Sequence, residues 1–173
     1  MLAGAVERPI FWGGQVDSLL EAINACRYYF MGDSVPWNGR EREAQALYAY
    51  LASLPLEAPE TQPFSLVLSA KNLPPGDATR GEDIYRRACN FCHGAITSGE
   101  GRLDTSTPIL PEEPATVFQQ KYKFSAQQIR VAFIEKVRHG AFLGLYGRMP
   151  PYALETLSDD DLSALLAYLN LSP

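Results

Sequence analysis

The feature that most constrains this chain is Cys89-Asn90-Phe91-Cys92-His93, a C-x-x-C-H. Two thiols at this spacing can each bond one vinyl group of the same porphyrin, and the residue that follows then offers its imidazole to the iron. One turn of backbone thus makes three bonds to one cofactor, the attachment chemistry of a c-type haem. A thioredoxin-like redox pair would require a βαβ context, and the sequence shows none. A zinc site would require a second ligand pair, but the remaining Cys26 and His139 stand apart from each other. The expected cofactor is one haem c, attached covalently at Cys89 and Cys92, with His93 as the proximal iron ligand.

Composition removes several other classes. The chain has 173 residues, 46% hydrophobic and 20% charged, which excludes disorder, collagen-like repeats and coiled coil. No apolar run approaches the ~20 residues that cross a bilayer, so no transmembrane segment is expected. Fifteen Lys and Arg against twenty Asp and Glu give a net charge of −5, the wrong sign for a nucleic-acid partner. Thirteen Gly and thirteen Pro favour a loop-rich fold, and three cysteines, an odd number, speak against a disulfide framework. The first residues, Met1-Leu-Ala-Gly-Ala-Val-Glu-Arg-Pro, lack a basic stretch and a long apolar run and do not read as an intact signal peptide.

Helical patterns flank the motif. Arg80–Ala88 reads as a short helix with Ile84, Tyr85 and Ala88 on one stripe, and Gly94 follows His93, where a tight backbone is useful. Ser125-Ala-Gln-Gln128 is a capping box. It opens a helix whose inner face carries Ile129, Ala132, Phe133 and Val137, with Gly140 placed to end it. Ser158 precedes three aspartates, an N-cap with acid in the first turn. Leu162, Leu165, Leu166 and Leu169 then form a stripe in a closing helix that ends near Leu171.

On these residues, 78–173 resembles a class I cytochrome c. The resemblance implies an opening and a closing helix that cross with a small residue at the contact, here Gly81 against the Tyr168 face. It also implies a methionine presented as the second axial ligand from a Gly/Pro loop. Met149 stands in Tyr146-Gly147-Arg148-Met149-Pro150-Pro151-Tyr152, where proline holds the backbone rigid. The competing reading of Met149 is a core filler. His139 is the other downstream candidate, but a histidine at a helix C-terminus is favoured by the helix dipole and reads as a surface residue.

The front third carries a partial second copy. Ala46-Leu47-Tyr48-Ala49-Tyr50-Leu51 matches Ala164-Leu165-Leu166-Ala167-Tyr168-Leu169 at five of six positions, an internal repeat of the closing helix. The competing reading is that Ala/Leu/Tyr-rich helices resemble each other by composition. Ser18–Cys26 reads as a helix, Gly32–Arg40 as a loop and Glu41–Leu54 as a second helix. Residues 55–77 hold five prolines and read as a linker, with Ser65-Leu66-Val67-Leu68 as a short strand or packed strip. The expected fold is all-α: a partial, haemless cytochrome c-like module (1–54), a Pro-rich linker (55–77) and a class I cytochrome c domain (78–173).

This layout resembles two-module cytochromes of sulfur oxidation, namely thiosulfate dehydrogenase and the haem-bearing A subunit of the Sox pathway cytochrome. That resemblance implies a cysteine as distal ligand of a first-module haem, in a stretch like Ala22-Ile23-Asn24-Ala25-Cys26-Arg27. The chain departs from that family in having no C-x-x-C-H before Cys26. Three explanations remain: a lost haem, a haem supplied by another chain with Cys26 completing the site in trans, or a start that is not the native one. The plain alternative for Cys26 is a buried packing residue.

The function expected is electron transfer between a redox enzyme or complex and an acceptor, outside the cytoplasm where haem c is attached. His/Met ligation raises the potential and leaves the iron no open position for substrate. The chain itself is then a carrier, not a catalyst. The alternative is a subunit of a thiosulfate dehydrogenase-like enzyme in which Cys26 ligates a substrate haem, with another haem-bearing subunit seated on residues 1–54. A third reading makes the front module a docking platform. Arg27, Arg40 and Arg42 lie near Cys26, but Arg40-Glu41-Arg42-Glu43 is the alternating charge of a solvated face.

Overall fold

The computed structural model describes residues 4–11, 16–31, 33–54, 67, 73–140 and 148–171. In chain order these form a 3₁₀ turn η1 (Ala5–Glu7) and the helices α1 (Leu19–Phe30), α2 (Arg42–Ser53), α3 (Ala78–Ala88), α4 (Asn90–His93), α5 (Glu112–Tyr122), α6 (Ala126–His139) and α7 (Asp159–Tyr168). Among the described residues the only β pairing is an isolated bridge between Phe11 and Val16, so the all-α expectation holds. The expected strand at 65–68 and the residues Gly32, Tyr146 and Gly147 lie outside the described residues, Val67 excepted.

Side chains start these helices as their types dictate. Ser18 accepts from the Glu21 N–H at the start of α1, and Asp77 from the Thr79 N–H (2.9 Å) at the start of α3. The capping box at Ser125 and Gln128 forms in both directions (2.9 and 3.3 Å). So does one at Ser158 and Asp161 (3.2 and 3.1 Å). Each satisfies N–H groups that a helix start leaves without partners.

The chain divides into two compact units: Met1–Leu68 with Lys136–Thr156, and Ser69–Glu135 with Leu157–Pro173. The division falls inside α6. The stretch 136–156, which motif reading assigns to the haem domain, groups by compactness with the front of the chain.

In the second unit, α3 packs on α7. Leu162, Leu165, Leu166 and Leu169 are all buried, together with Ile84, Tyr85, Ile129, Phe133 and Ile134. Burial of each such side chain contributes roughly 2 kcal/mol. The crossing is at Gly81, where a Cβ would fall on the Ala164 carbonyl and lie 2.7 Å from Tyr168 Cβ. The small-residue contact expected of Gly81 against the Tyr168 face is therefore present. Arg130, fully buried, donates to the carbonyls of Leu73 (2.8 Å), Pro74 (3.4 Å) and Leu171.

In the first unit, Ala22 and Ile23 of α1 and Ala44 and Leu51 of α2 are buried, and η1 packs on α2. Asn24 and Arg27 fix the loop that follows α1. The Asn24 amide donates to the Trp37 carbonyl (2.9 Å) and accepts from the Trp37 N–H (2.8 Å). Arg27 pairs with Asp33, donates to the Val35 carbonyl (2.8 Å) and stacks on the Trp37 ring, 4.1 Å from its centroid.

Candidate haem-binding site

The C-x-x-C-H turn is held from both sides. α3 delivers it: the Cys89 N–H donates to the Tyr85 carbonyl (2.9 Å), and the Cys92 and His93 N–H groups both donate to the Cys89 carbonyl. Gly94 then turns the chain with φ +68°, and a Cβ there would lie 2.5 Å from the Glu100 carbonyl oxygen. Only glycine fits that close approach at that dihedral. The Tyr85 hydroxyl, in the core, donates to the Gly94 carbonyl (2.8 Å) and ties α3 to this turn. The Leu103 N–H donates back to the Cys92 carbonyl (2.9 Å).

His93 is oriented by backbone. Its Nδ1 lies 2.9 Å from the Pro108 carbonyl oxygen. A carbonyl only accepts, so Nδ1 carries the proton and Nε2 carries the lone pair that a metal would take. Pro108 also lines a shallow, open apolar cleft with Glu112, Glu113, Pro114, Thr116, Val117 and Phe118. Phe118 stacks on Phe124 (5.7 Å between centroids) and meets Phe133 edge-on (6.4 Å).

Burial pushes the Cys89 thiol up to about 12, with Cys92 adding to the effect. Cys92 is also raised, by burial and by Asp104. A disulfide-exchange pair needs the opposite shift, because the thiolate is the reactive form. Two thiols on one turn, an imidazole with Nε2 available by tautomer and an open apolar cleft at Pro108 make a set that fits a haem. Cys89, Cys92 and His93 are the residues that would hold it.

Met149, half-buried, lies in the first unit, anchored to the end of α6. Gly140 there has φ +57°, and a Cβ on it would fall on the Met149 carbonyl and lie 2.6 Å from the Pro150 carbonyl carbon. The Tyr152 N–H donates to the Val137 carbonyl (3.0 Å), and Arg138 donates to the Tyr152 carbonyl (3.1 Å). The Arg148 guanidinium stacks over Tyr28 of α1, 4.7 Å from the ring centroid.

Two expectations are corrected here. His139 is not a surface residue: it is 4% exposed, because the Met149–Tyr152 segment lies along the last turn of α6. Cys26 is not a buried packing residue: it is exposed. It nevertheless shares the helical arc of Ala22 and Ile23, both buried, so the thiol is partly desolvated and its pKa is raised. The Pro108 carbonyl and the Tyr85 hydroxyl were absent from the sequence reading. The first is fifteen residues from its partner and left no local signal. The second stood in the predicted helix but reads there as core.

Helix, haem-motif turn, oriented histidine and closing helix crossing at glycine define a class I c-type cytochrome domain. The chain belongs to the family of cytochrome c oxidase, cbb3-type, subunit III, which matches residues 76–169. No curated protein and no solved structure matches it. Membership establishes a haem-containing electron-transfer role, and no helix among the described residues is long and apolar enough to cross a membrane.

Proposed function

We propose that the protein is a single-haem electron carrier or electron-transfer subunit working outside the cytoplasm. In this reading Cys89 and Cys92 hold one haem c, with His93 and Met149 as axial ligands. The observation that carries it is the His93–Pro108 hydrogen bond, which sets the tautomer a metal-binding imidazole needs. The bound haem supplies a one-electron couple. The residues of this chain hold the imidazole at Nδ1, line the adjoining apolar cleft with Val117 and Phe118, and fix the methionine backbone at Gly140 and Pro150. Rigid ligands keep reorganisation small, and two axial ligands leave no position for a substrate. The domain organisation we propose keeps 1–54 as a partial cytochrome-like module, 55–77 as linker and 78–173 as the haem domain. The partner is a redox protein or larger complex, and the name of the matched family makes a terminal oxidase complex one candidate. Intact-mass analysis of the matured protein should show an increment of one haem that survives denaturation and disappears in Cys89→Ala/Cys92→Ala. An unmodified mass in correctly matured protein would overturn the proposal.

A second reading is favoured by the exposure of Cys26 within the otherwise buried arc of α1. There Cys26 ligates a haem brought by another chain, and the assembly acts on a small sulfur compound, as the sulfur-oxidation resemblance implies. A low-spin thiolate–haem resonance in the native assembly, erased by Cys26→Ser, is the result this reading expects.

A further inference from the structure

The repeat between α2 and α7 extends beyond the matched six residues once exposure is considered. Three residues of α7 meet α3, two through side chains and one through its backbone. Asp161 pairs with Arg80. Ala164 presents its backbone to Gly81. The Tyr168 ring lies 5.6 Å from Tyr85. At the same spacing α2 carries Glu43, Ala46 and Tyr50: an acid, an alanine and a tyrosine. All three are exposed, Tyr50 to 55%.

The opposite side of α2 behaves differently. Leu162, Leu165, Leu166 and Leu169 of α7 are buried, and their counterparts Ala44, Leu47, Tyr48 and Leu51 are buried or half-buried. α2 therefore keeps the core-facing side of a closing helix and leaves its helix-docking side in solvent. Composition alone explains an Ala/Leu/Tyr resemblance. It does not explain why the exposed positions are the ones that, in α7, receive a helix. Alanine at 46 lets a backbone approach closely, Glu43 offers a carboxylate to a cation and Tyr50 offers a ring edge.

We propose that the Glu43–Ala46–Tyr50 face of α2 docks a helix from another polypeptide built like α3: Arg-Gly at the crossing and a tyrosine four residues after the glycine. A second copy of this chain is a poor occupant, because its own α3 already has this surface on α7. The proposal does not depend on the haem of residues 89–93, so its failure and that of the electron-carrier reading are separable.

The test is a titration of isotope-labelled full-length, haem-loaded protein with a helix-stabilised peptide of sequence Asp77–Ala88, followed by backbone NMR. The expected result is saturable shifts at Glu43, Ala46 and Tyr50, with a Kd of about 1 mM or tighter. Those shifts should vanish with a peptide carrying Gly81→Leu, and in Ala46→Leu protein, whose helicity by circular dichroism checks the fold. Four results would overturn the proposal. They are no shifts at several times that concentration, shifts confined to Asp161, Ala164 and Tyr168, shifts that survive both substitutions, and protection of the Tyr50 side chain in the free protein by its own residues 55–72.

Discussion

Three constraints meet at Met149. Proline follows it, Gly140 packs against its carbonyl, and the residue before it stacks on Tyr28. If the sulfur is the sixth ligand, Met149→Ala should remove the Met–iron charge-transfer band of the ferric protein and lower the potential. Persistence of both, with a spectral change in His139→Ala instead, would move the assignment to His139. Tyr28→Ala tests the anchor separately. A cation–π contact at a partly exposed site is worth about 0.5–1 kcal/mol. The band should therefore survive at room temperature and bleach at a lower temperature on warming, while the covalent haem stays. The Met149 setting was legible because Gly and Pro mark a rigid loop. The burial of His139 was not. The helix-dipole argument weighs only the residue and its own helix, and the covering segment arrives from ten residues further on.

Helices were legible wherever a side-chain cap and an apolar stripe coincide. α3 and α6 appear within about two residues of expectation, α7 stops at Tyr168, short of Leu171, α1 runs past Cys26 to Phe30, and α2 occupies the expected span less its caps. α5 was missed. Pro114 stands in its first turn, where proline is tolerated, and Glu112 and Glu113 supply an acidic start, but no side-chain cap marks it. Two substitutions probe the α3–α7 pair. In an open helix Gly81→Ala would gain about 1 kcal/mol. Here the added Cβ meets the Ala164 carbonyl, so a net loss of about 2 kcal/mol is expected in denaturant unfolding. Asp161 accepts from the Ser158 hydroxyl (2.8 Å) and pairs with Arg80, and the hydrogen bond with Ser158 is the chief reason its carboxyl titrates below the usual range. A depressed folded-state pKa stabilises above the unfolded value, about 4, and the benefit is lost as pH falls through the folded value. The melting temperature of Asp161→Asn should therefore lie below that of the parent at pH 7, and the gap should close on acidification. A gap independent of pH would mean that shape, not charge, is what Asn fails to replace.

At the scale of the whole molecule, the haem motif fixed what half of the chain would be and said little about its grouping. The association of 136–156 with the front residues rests on contacts such as Arg148 with Tyr28, which no periodicity announces. Charge gives a prediction here. A net −5 suits a partner with a basic face, and electron-transfer rates with such a partner should fall as salt rises. A rate that ignores ionic strength would point to apolar docking.

The Arg130 clasp has a topological consequence. One guanidinium holds Leu73 and Pro74, where the chain arrives, and Leu171, where it leaves. Losing it would strand buried carbonyls, a cost of about 3 kcal/mol for Arg130→Met. The two ends of the segment 73–171 are therefore neighbours. A short peptide joining them should therefore leave the crossing of α3 and α7 in place. Chain added before residue 73 or after residue 171 enters and leaves the second unit at one point, without rethreading α3 or α7.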